Sequence, residues 1–344
     1  MDYSTTWHEL DADVAAGTSR AGADGMVRRL VGQTSLTEAH LGVLVKSGLR
    51  CLLVRIPGDH QGGIPTLPSW SGLRSGVVQG EEKPVARRFL LLQQEAASPT
   101  DIFESVVADV ASSVLVESNT HPLLVVRERL ERWKAFFSEV GVQGLGKDAQ
   151  QGLFGELWIL RDHVLPGLGP VDAVNSWVGP THANHDFQHR SRGLEVKTST
   201  AKQHHRVHIA NERQLDEHGL ESLNLVASSF TSLEDGGLTL PQLVEDVRHR
   251  LSSDGGALRL FNDRLMLAGY LDAQSVLYRT GYVLREIRTY RVAEGFPRLV
   301  ERDLSEGVGD LSYSVVLSAC EAFRMEPNVV WESFKGKPQG GDSS

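Results

Sequence analysis

The run His185-Asp186-Phe187, followed by Leu194-Glu195-Val196-Lys197-Thr198-Ser199, constrains this chain more than any other segment. Side chains alternate across a strand with a period of two, so Glu195 and Lys197 share one face while Leu194 and Val196 share the apolar one. The charged face is expected to be the accessible one. Arg190-Ser191-Arg192-Gly193 is polar and ends in Gly, which predicts a hairpin loop, and a two-residue or a four-residue loop gives the same register. That register sets Asp186 opposite Lys197 and Phe187 opposite Val196. A three-residue loop would turn Asp186 to the wrong side.

Two carboxylates and an ammonium gathered in this way can hold a divalent metal against a phosphodiester. Mg2+ prefers oxygen ligands, keeps several waters, and is usually held by one or two carboxylates together with phosphate oxygens of the substrate. Asp186 and Glu195 meet that need. A metal placed there acts as a Lewis acid and lowers the pKa of a bound water. Lys197 can orient that water or neutralise charge in the transition state.

Upstream, the spacing predicts a helix from about Ala149 to Val164 whose stripe is Leu153, Leu157, Leu160 and Val164. Glu156 lies on the flank of that stripe. A carboxylate beside a core face needs a partner, and an ordinary Arg or Lys at the helix edge would supply one as well as a metal would.

The order of these motifs resembles the PD-(D/E)XK nuclease superfamily. Gly155-Glu156-Leu157-Trp158, Trp177-Val178-Gly179-Pro180, His185-Asp186-Phe187, Glu195-Val196-Lys197-Thr198-Ser199 and Phe296-Pro297 together resemble a bacterial PD-(D/E)XK family encoded in restriction-modification-like phage-defence operons. The motifs occupy residues 145–230, and a softer likeness runs to about 320. His185 replaces the Pro of the superfamily's name.

The resemblance implies an α/β (α+β) fold, with a restriction-endonuclease-like core built on a central mixed β-sheet flanked by helices. It implies a Mg2+-dependent DNA endonuclease, with Mn2+ as substitute, acting as a subunit of a restriction or phage-defence system. Glu156, Asp186, Glu195 and Lys197 would be catalytic, and Asp186, Glu195, Val196 and Glu156 would form the metal set. Helicase-like ATPase and methyltransferase subunits from the same operon are the implied partners, and a homodimer is compatible. A non-catalytic DNA-binding or scaffolding subunit that retains the fold is the alternative.

Net charge is −9, which disfavours strong non-specific DNA binding by the isolated chain. Locally the balance reverses, since Arg190, Arg192, Lys197, Lys202, Arg206 and Arg213 stand against Asp186, Glu195 and Glu212. Arg190, Arg192, Ser199, Lys202 and Arg206 are therefore candidates for a nucleic-acid rim, with a solvated loop as the plain reading. His182, His185, His189, His204, His205 and His208 crowd the same region, but no two stand four apart on a helix and no cysteine supports a zinc site. Cys51 and Cys320, far apart, suit a reducing compartment. With no signal pattern and no apolar run of membrane length, the cytoplasm is expected, without membrane contact.

Three parts are expected: an amino-terminal α+β module over 1–144 for docking or DNA contact, a nuclease-like core over 145–275, and a strand-rich extension over 276–334. A disordered tail, 335–344, follows. The boundary is Gly141-Val142-Gln143-Gly144-Leu145-Gly146. Strands are predicted at Arg50–Ile56, Ala86–Gln93, Val207–Ala210, Leu223–Val226, Tyr282–Val292 and Leu311–Leu317. Helices are predicted from an Ser98 N-cap through Val110, over the Val126, Leu130, Trp133, Phe137 and Val140 stripe, briefly from Asn211, and over Leu240–Leu251. Tyr278, Tyr282 and Tyr290 interleave with Arg279, Arg285, Arg288 and Arg291, a pattern that serves single-strand binding or an ordinary solvent face. No Gly-x4-Gly-Lys-Ser/Thr loop occurs, so energy-driven translocation would need another subunit.

Overall fold

The computed structural model describes residues 3–17, 21–22, 24–58, 64–79, 87–96, 98–116, 121–139, 144–201 and 206–336. Ala86, Val140, residues 141–143, Lys202, His204, His205 and the tail beyond Gly336 lie outside the described residues. Contacts divide the chain into two compact units, Met1–Val142 and Gln143–Ser344. No helix among the described residues is long and apolar enough to cross a membrane.

The first unit is α+β. Helix α1 (Ser4–Ala16) precedes strands β1 (Met26–Gln33), β2 (Glu38–Leu44), β3 (Arg50–Arg55), β4 (Leu73–Gln79) and β5 (Arg88–Gln94), which form an antiparallel sheet in the order β1-β2-β3-β5-β4. Cys51, Leu52, Leu53 and Val54 are all buried, as expected of a central strand covered on both faces. Helices α2 (Thr100–Val114) and α3 (Pro122–Glu139) pack together, tied by the Asp109 carboxylate, which accepts Arg129 Nε–H at 2.8 Å and Trp133 Nε1–H at 2.9 Å. Ser98 does not cap α2. Pro99 stands at its N-cap without a side-chain cap bond, while Gln94 Nε2 donates to Ser98 O at 2.9 Å and Asp101 Oδ1 accepts Ile102 N–H at 2.9 Å.

In the second unit, α4 (Lys147–Ile159) continues through a π-helical turn, Leu160–Val164, into the short α5 (Leu165–Leu168) and α6 (Pro170–Ser176). Then come β6 (Phe187–His189), β7 (Arg192–Ser199), β8 (Arg206–Ile209), β9 (Ser222–Leu233) and β10 (Leu238–Thr239). After α7 (Leu240–Leu251) and α8 (Gly255–Leu267) follow β11 (Gly281–Val292), β12 (Tyr313–Val316), β13 (Arg324–Met325) and α9 (Pro327–Lys335). The expected Leu240–Leu251 helix forms with those bounds, opened by a capping box in which Thr239 and Gln242 satisfy each other's backbone N–H.

The central sheet is mixed, in the order β10-β11-β9-β7-β6, with β13 added to β11; β7 and β9 run parallel and β11 runs antiparallel to β9. β11 pairs along nearly all of β9, so residues far down the chain complete the same sheet. Helices cover one face, where Leu194, Val196, Val226 and Phe230 join Leu153, Leu157, Leu243 and Phe261. The two-stranded sheet of β8 and β12 lies over the other, where Leu223, Leu225 and Ala227 meet Val207, Ile209, Val315 and Leu317.

One local expectation fails, and of two alternatives left open for the tyrosines the stacking one is set aside. Residues 211–215 form turns instead of a short helix, because Asn211 Oδ1 accepts Arg213 N–H and Gln214 Oε1 accepts Ala210 N–H, satisfying the backbone without helical bonds. Tyr278, Tyr282 and Tyr290 are buried in the cores, so they offer no stacking platform for bases. Arg285 and Arg288 are engaged with Ala201 O and Glu286.

Candidate active site

The β6–β7 hairpin turns at Arg190-Ser191 and pairs Phe187 with Leu194 and His189 with Arg192. Continued by one residue, that register sets Asp186 opposite Glu195. The expected pairing of Asp186 with Lys197 and of Phe187 with Val196 is thus corrected by two residues. A shift of two preserves faces, so Asp186, Glu195 and Lys197 still share one side.

That side is not the open one. β9 places Leu225 and Ala227 beside Glu195 and Lys197, on the face that β8 and β12 cover. Glu195 is fully buried, and the Lys197 side chain is 18% exposed. The expectation of an accessible charged face is overturned, because an additional layer from residues 206–209 and 313–316 closes over it.

Asp186 stands where β6 has ended and the β7 edge is free. Its Oδ2 accepts Val196 N–H at 2.7 Å, replacing a ladder bond, while its own carbonyl accepts the N–H groups of Val178 and Gly179 at 2.9 and 3.0 Å. The carboxylate is therefore fixed from both its backbone and its side chain. Val196 buries its side chain in the core, so only its backbone can contribute to a metal set.

Glu156 arrives from α4. Trp177 Nε1 donates to Glu156 Oε2 at 2.7 Å and holds it in place. Between them, Gly179 leaves room: a Cβ there would meet Asp186 Oδ1 at 3.2 Å and Glu156 Oε2 at 3.4 Å. Both carboxylates border one small volume that any other residue at 179 would begin to fill. Lys197 Nζ lies 2.7 Å from Glu195 Oε1 as an ion pair, and neither Glu195 carboxylate oxygen has a hydrogen-bond partner among the described residues.

Glu195 is buried and Glu156 and Asp186 are half-buried beside it, so the three acids repel each other's charge. Burial, then Asp186, pushes the Glu156 carboxyl up to about 8, with the Trp177 N–H and Lys197 opposing. Burial also raises Asp186, against Lys197 and the Val196 N–H, and raises Glu195 well above the usual carboxylate range, with Asp186 adding to it. Burial works against the Lys197 ammonium, but Glu195 and Asp186 outweigh it and hold its pKa above the ordinary value. One ammonium does not balance three carboxyls, so the cluster favours either protons or a further cation.

A divalent metal fits this donor set. The volume beside Gly179 is bordered by Asp186 Oδ1 and Glu156 Oε2, and both Glu195 carboxylate oxygens are buried acceptors without a hydrogen-bond partner among the described residues. Among the described residues no group of three or more His, Cys, Asp or Glu is preassembled as a metal cage. Mg2+ does not need one, since water and phosphate oxygens complete its shell.

The proposed rim is dispersed. Arg190, at φ 55°, and Arg192, paired with Glu221 at 3.1 Å, stand beside Gly336 after α9. Arg192 is five residues from Lys197, roughly 16 Å along the strand. Ser199 Oγ accepts Ala201 N–H at 3.2 Å, Arg206 is exposed on β8 opposite Val316, and Lys202 is outside the described residues. His185, buried, lies 3.2 Å from Asp216 O through Nε2, while His182 and His208 are exposed and His189 packs near Phe334.

A family model described as "Putative PD-(D/E)XK family member" matches residues 3–318. The chain belongs to this family. The match takes in both units and every residue of the acidic cluster described above, together with Trp177 and Gly179 of the Trp177-Val178-Gly179-Pro180 run. No curated protein and no solved structure matches the chain.

Proposed function

We propose that this chain is a Mg2+-dependent DNA endonuclease, a subunit of a bacterial restriction or phage-defence system working in the cytoplasm. The reading is carried by one observation: Glu156, Asp186 and Glu195 crowd the free edge of β7 with one ammonium among the described residues, Lys197, beside them. Nuclease-like chemistry is what the family description suggests. Metal, DNA and defence role are our reading of the site.

Asp186 and Glu195, with the backbone of Val196, would hold Mg2+, and Mn2+ would substitute. When bound, the metal supplies Lewis-acid polarisation of the phosphate and a water of lowered pKa. Glu156, held by Trp177, would accept a proton from the attacking water or orient it. Lys197 would donate to the phosphate oxygen on which charge builds. Arg190, Arg192, Ser199, Lys202 and Arg206 would contact the backbone of the DNA further out. The first unit would dock helicase-like ATPase and methyltransferase partners.

The test is Mg2+-dependent cleavage of plasmid DNA, with Asp186→Asn, Glu195→Gln and Lys197→Met compared with the parent chain. Each variant should lose on the order of 10²-fold or more in rate while remaining folded. Asp186→Asn cutting at the parental rate would sink the proposal. Metal affinity without any cleavage would leave a DNA-binding or scaffolding subunit.

A further inference from the structure

We propose that Gln214 is a positioning residue for Lys197, holding the ammonium in the direction that the reacting phosphate requires. The role in cleavage rests on the nuclease reading above; the positioning does not. Lys197 Nζ donates to Gln214 Oε1 at 2.9 Å, and that same oxygen accepts Ala210 N–H at 2.8 Å. Neither donor can accept, so two converging N–H groups determine which end of the carboxamide faces Lys197. Gln214 is thereby fixed by main chain just beyond β8, an element separate from the strand that bears Lys197.

The consequence is directional. Glu195 alone would leave Lys197, with its flexible four-carbon stem, free to pivot about one contact. An ion-pair partner at 2.7 Å on its own strand and a hydrogen-bond acceptor at 2.9 Å on another segment hold the ammonium from two sides and leave N–H capacity for a phosphate oxygen or water. A neutral acceptor also suits this place. A carboxylate at 214 would hold Lys197 too, but would add a fourth acid to a cluster that already carries three. Gln214 lies 17 residues beyond Lys197, in turns that sequence periodicity does not describe.

The experiment uses the full chain with 15N-labelled lysine side chains. In the parent protein the Lys197 ammonium, assigned by its loss in Lys197→Arg, should give a slowly exchanging signal with restricted rotation. Gln214→Met, of similar length without an acceptor, should abolish that signal and lower kcat about tenfold with KM unchanged, as misdirection of one catalytic group does. Gln214→Glu should retain the signal. A freely rotating Lys197 ammonium in the parent chain would overturn the proposal without any variant. So would a signal and kcat that survive Gln214→Met, or equal loss in the Met and Glu variants. If the parent chain cuts no DNA yet the signal depends on Gln214, the positioning stands and the nuclease reading falls.

Discussion

Gly155 of α4 lies so close to Thr198 of β7 that a Cβ on it would come within 1.8 Å of Thr198 Oγ1 and 2.9 Å of Thr198 Cβ. The absent side chain lets the helix sit against the strand, and the next residue, Glu156, then reaches the β7 edge. Because Thr198 is β-branched and near the backbone, it cannot swing aside.

Gly155→Ala should therefore cost about 1–3 kcal/mol of stability through overpacking and slow cleavage by displacing Glu156. Gly152→Ala, in the same helix with nothing within 4 Å of its Cβ position, is the control. It should be neutral or stabilising by up to about 1 kcal/mol. Denaturant midpoints for the two variants check this, and a destabilised Gly152→Ala would contradict it.

The raised Glu156 carboxyl gives a pH dependence with a definite sign. A carboxyl whose folded pKa lies near 8 favours folding most when protonated, so its contribution is full below about 4.5 and disappears as pH rises through about 8. Metal-free protein should lose Tm over that window, as far as this cluster governs it. A divalent cation competes with the proton, so Mg2+ should raise Tm more at pH 8 than at pH 6. Equal Mg2+ shifts at both pH values would refute the coupling.

Glu217 behaves in the opposite sense. Arg298 chiefly, with Arg302, holds its carboxyl at about 2, so the stability that it contributes is present above about 4.5 and is lost as pH falls toward 2. Glu217→Gln should cost about 2 kcal/mol at pH 7, allowing for partial exposure, and flatten acid unfolding across that window. Unchanged acid unfolding in this variant would disprove the assignment.

Activity should also depend on partners. A chain at −9 with a dispersed basic rim should bind DNA weakly, with log K falling against log salt less steeply than about −3. Operon partners should restore cutting. Efficient cleavage by the lone chain at physiological salt, unaffected by removal of residues 1–140, would rule this out.

Local pattern was legible wherever a segment's own periodicity decided its fate. Alternation put Glu195 and Lys197 on one face, and the 3.6-residue repeat marked Leu240–Leu251 and the Leu153, Leu157, Leu160 stripe beside Glu156. Parity could not choose between registers two residues apart, since both keep the same faces, and the turn at Arg190-Ser191 decided it. Sequence therefore determined which side chains travel together. Tertiary structure decided what covers them: β8 and β12 bury Glu195, β11 enters the central sheet, and Trp177 and Gln214 come to Glu156 and Lys197. Those pairings join segments many residues apart, so they depend on the packing of the whole unit, which no single segment encodes.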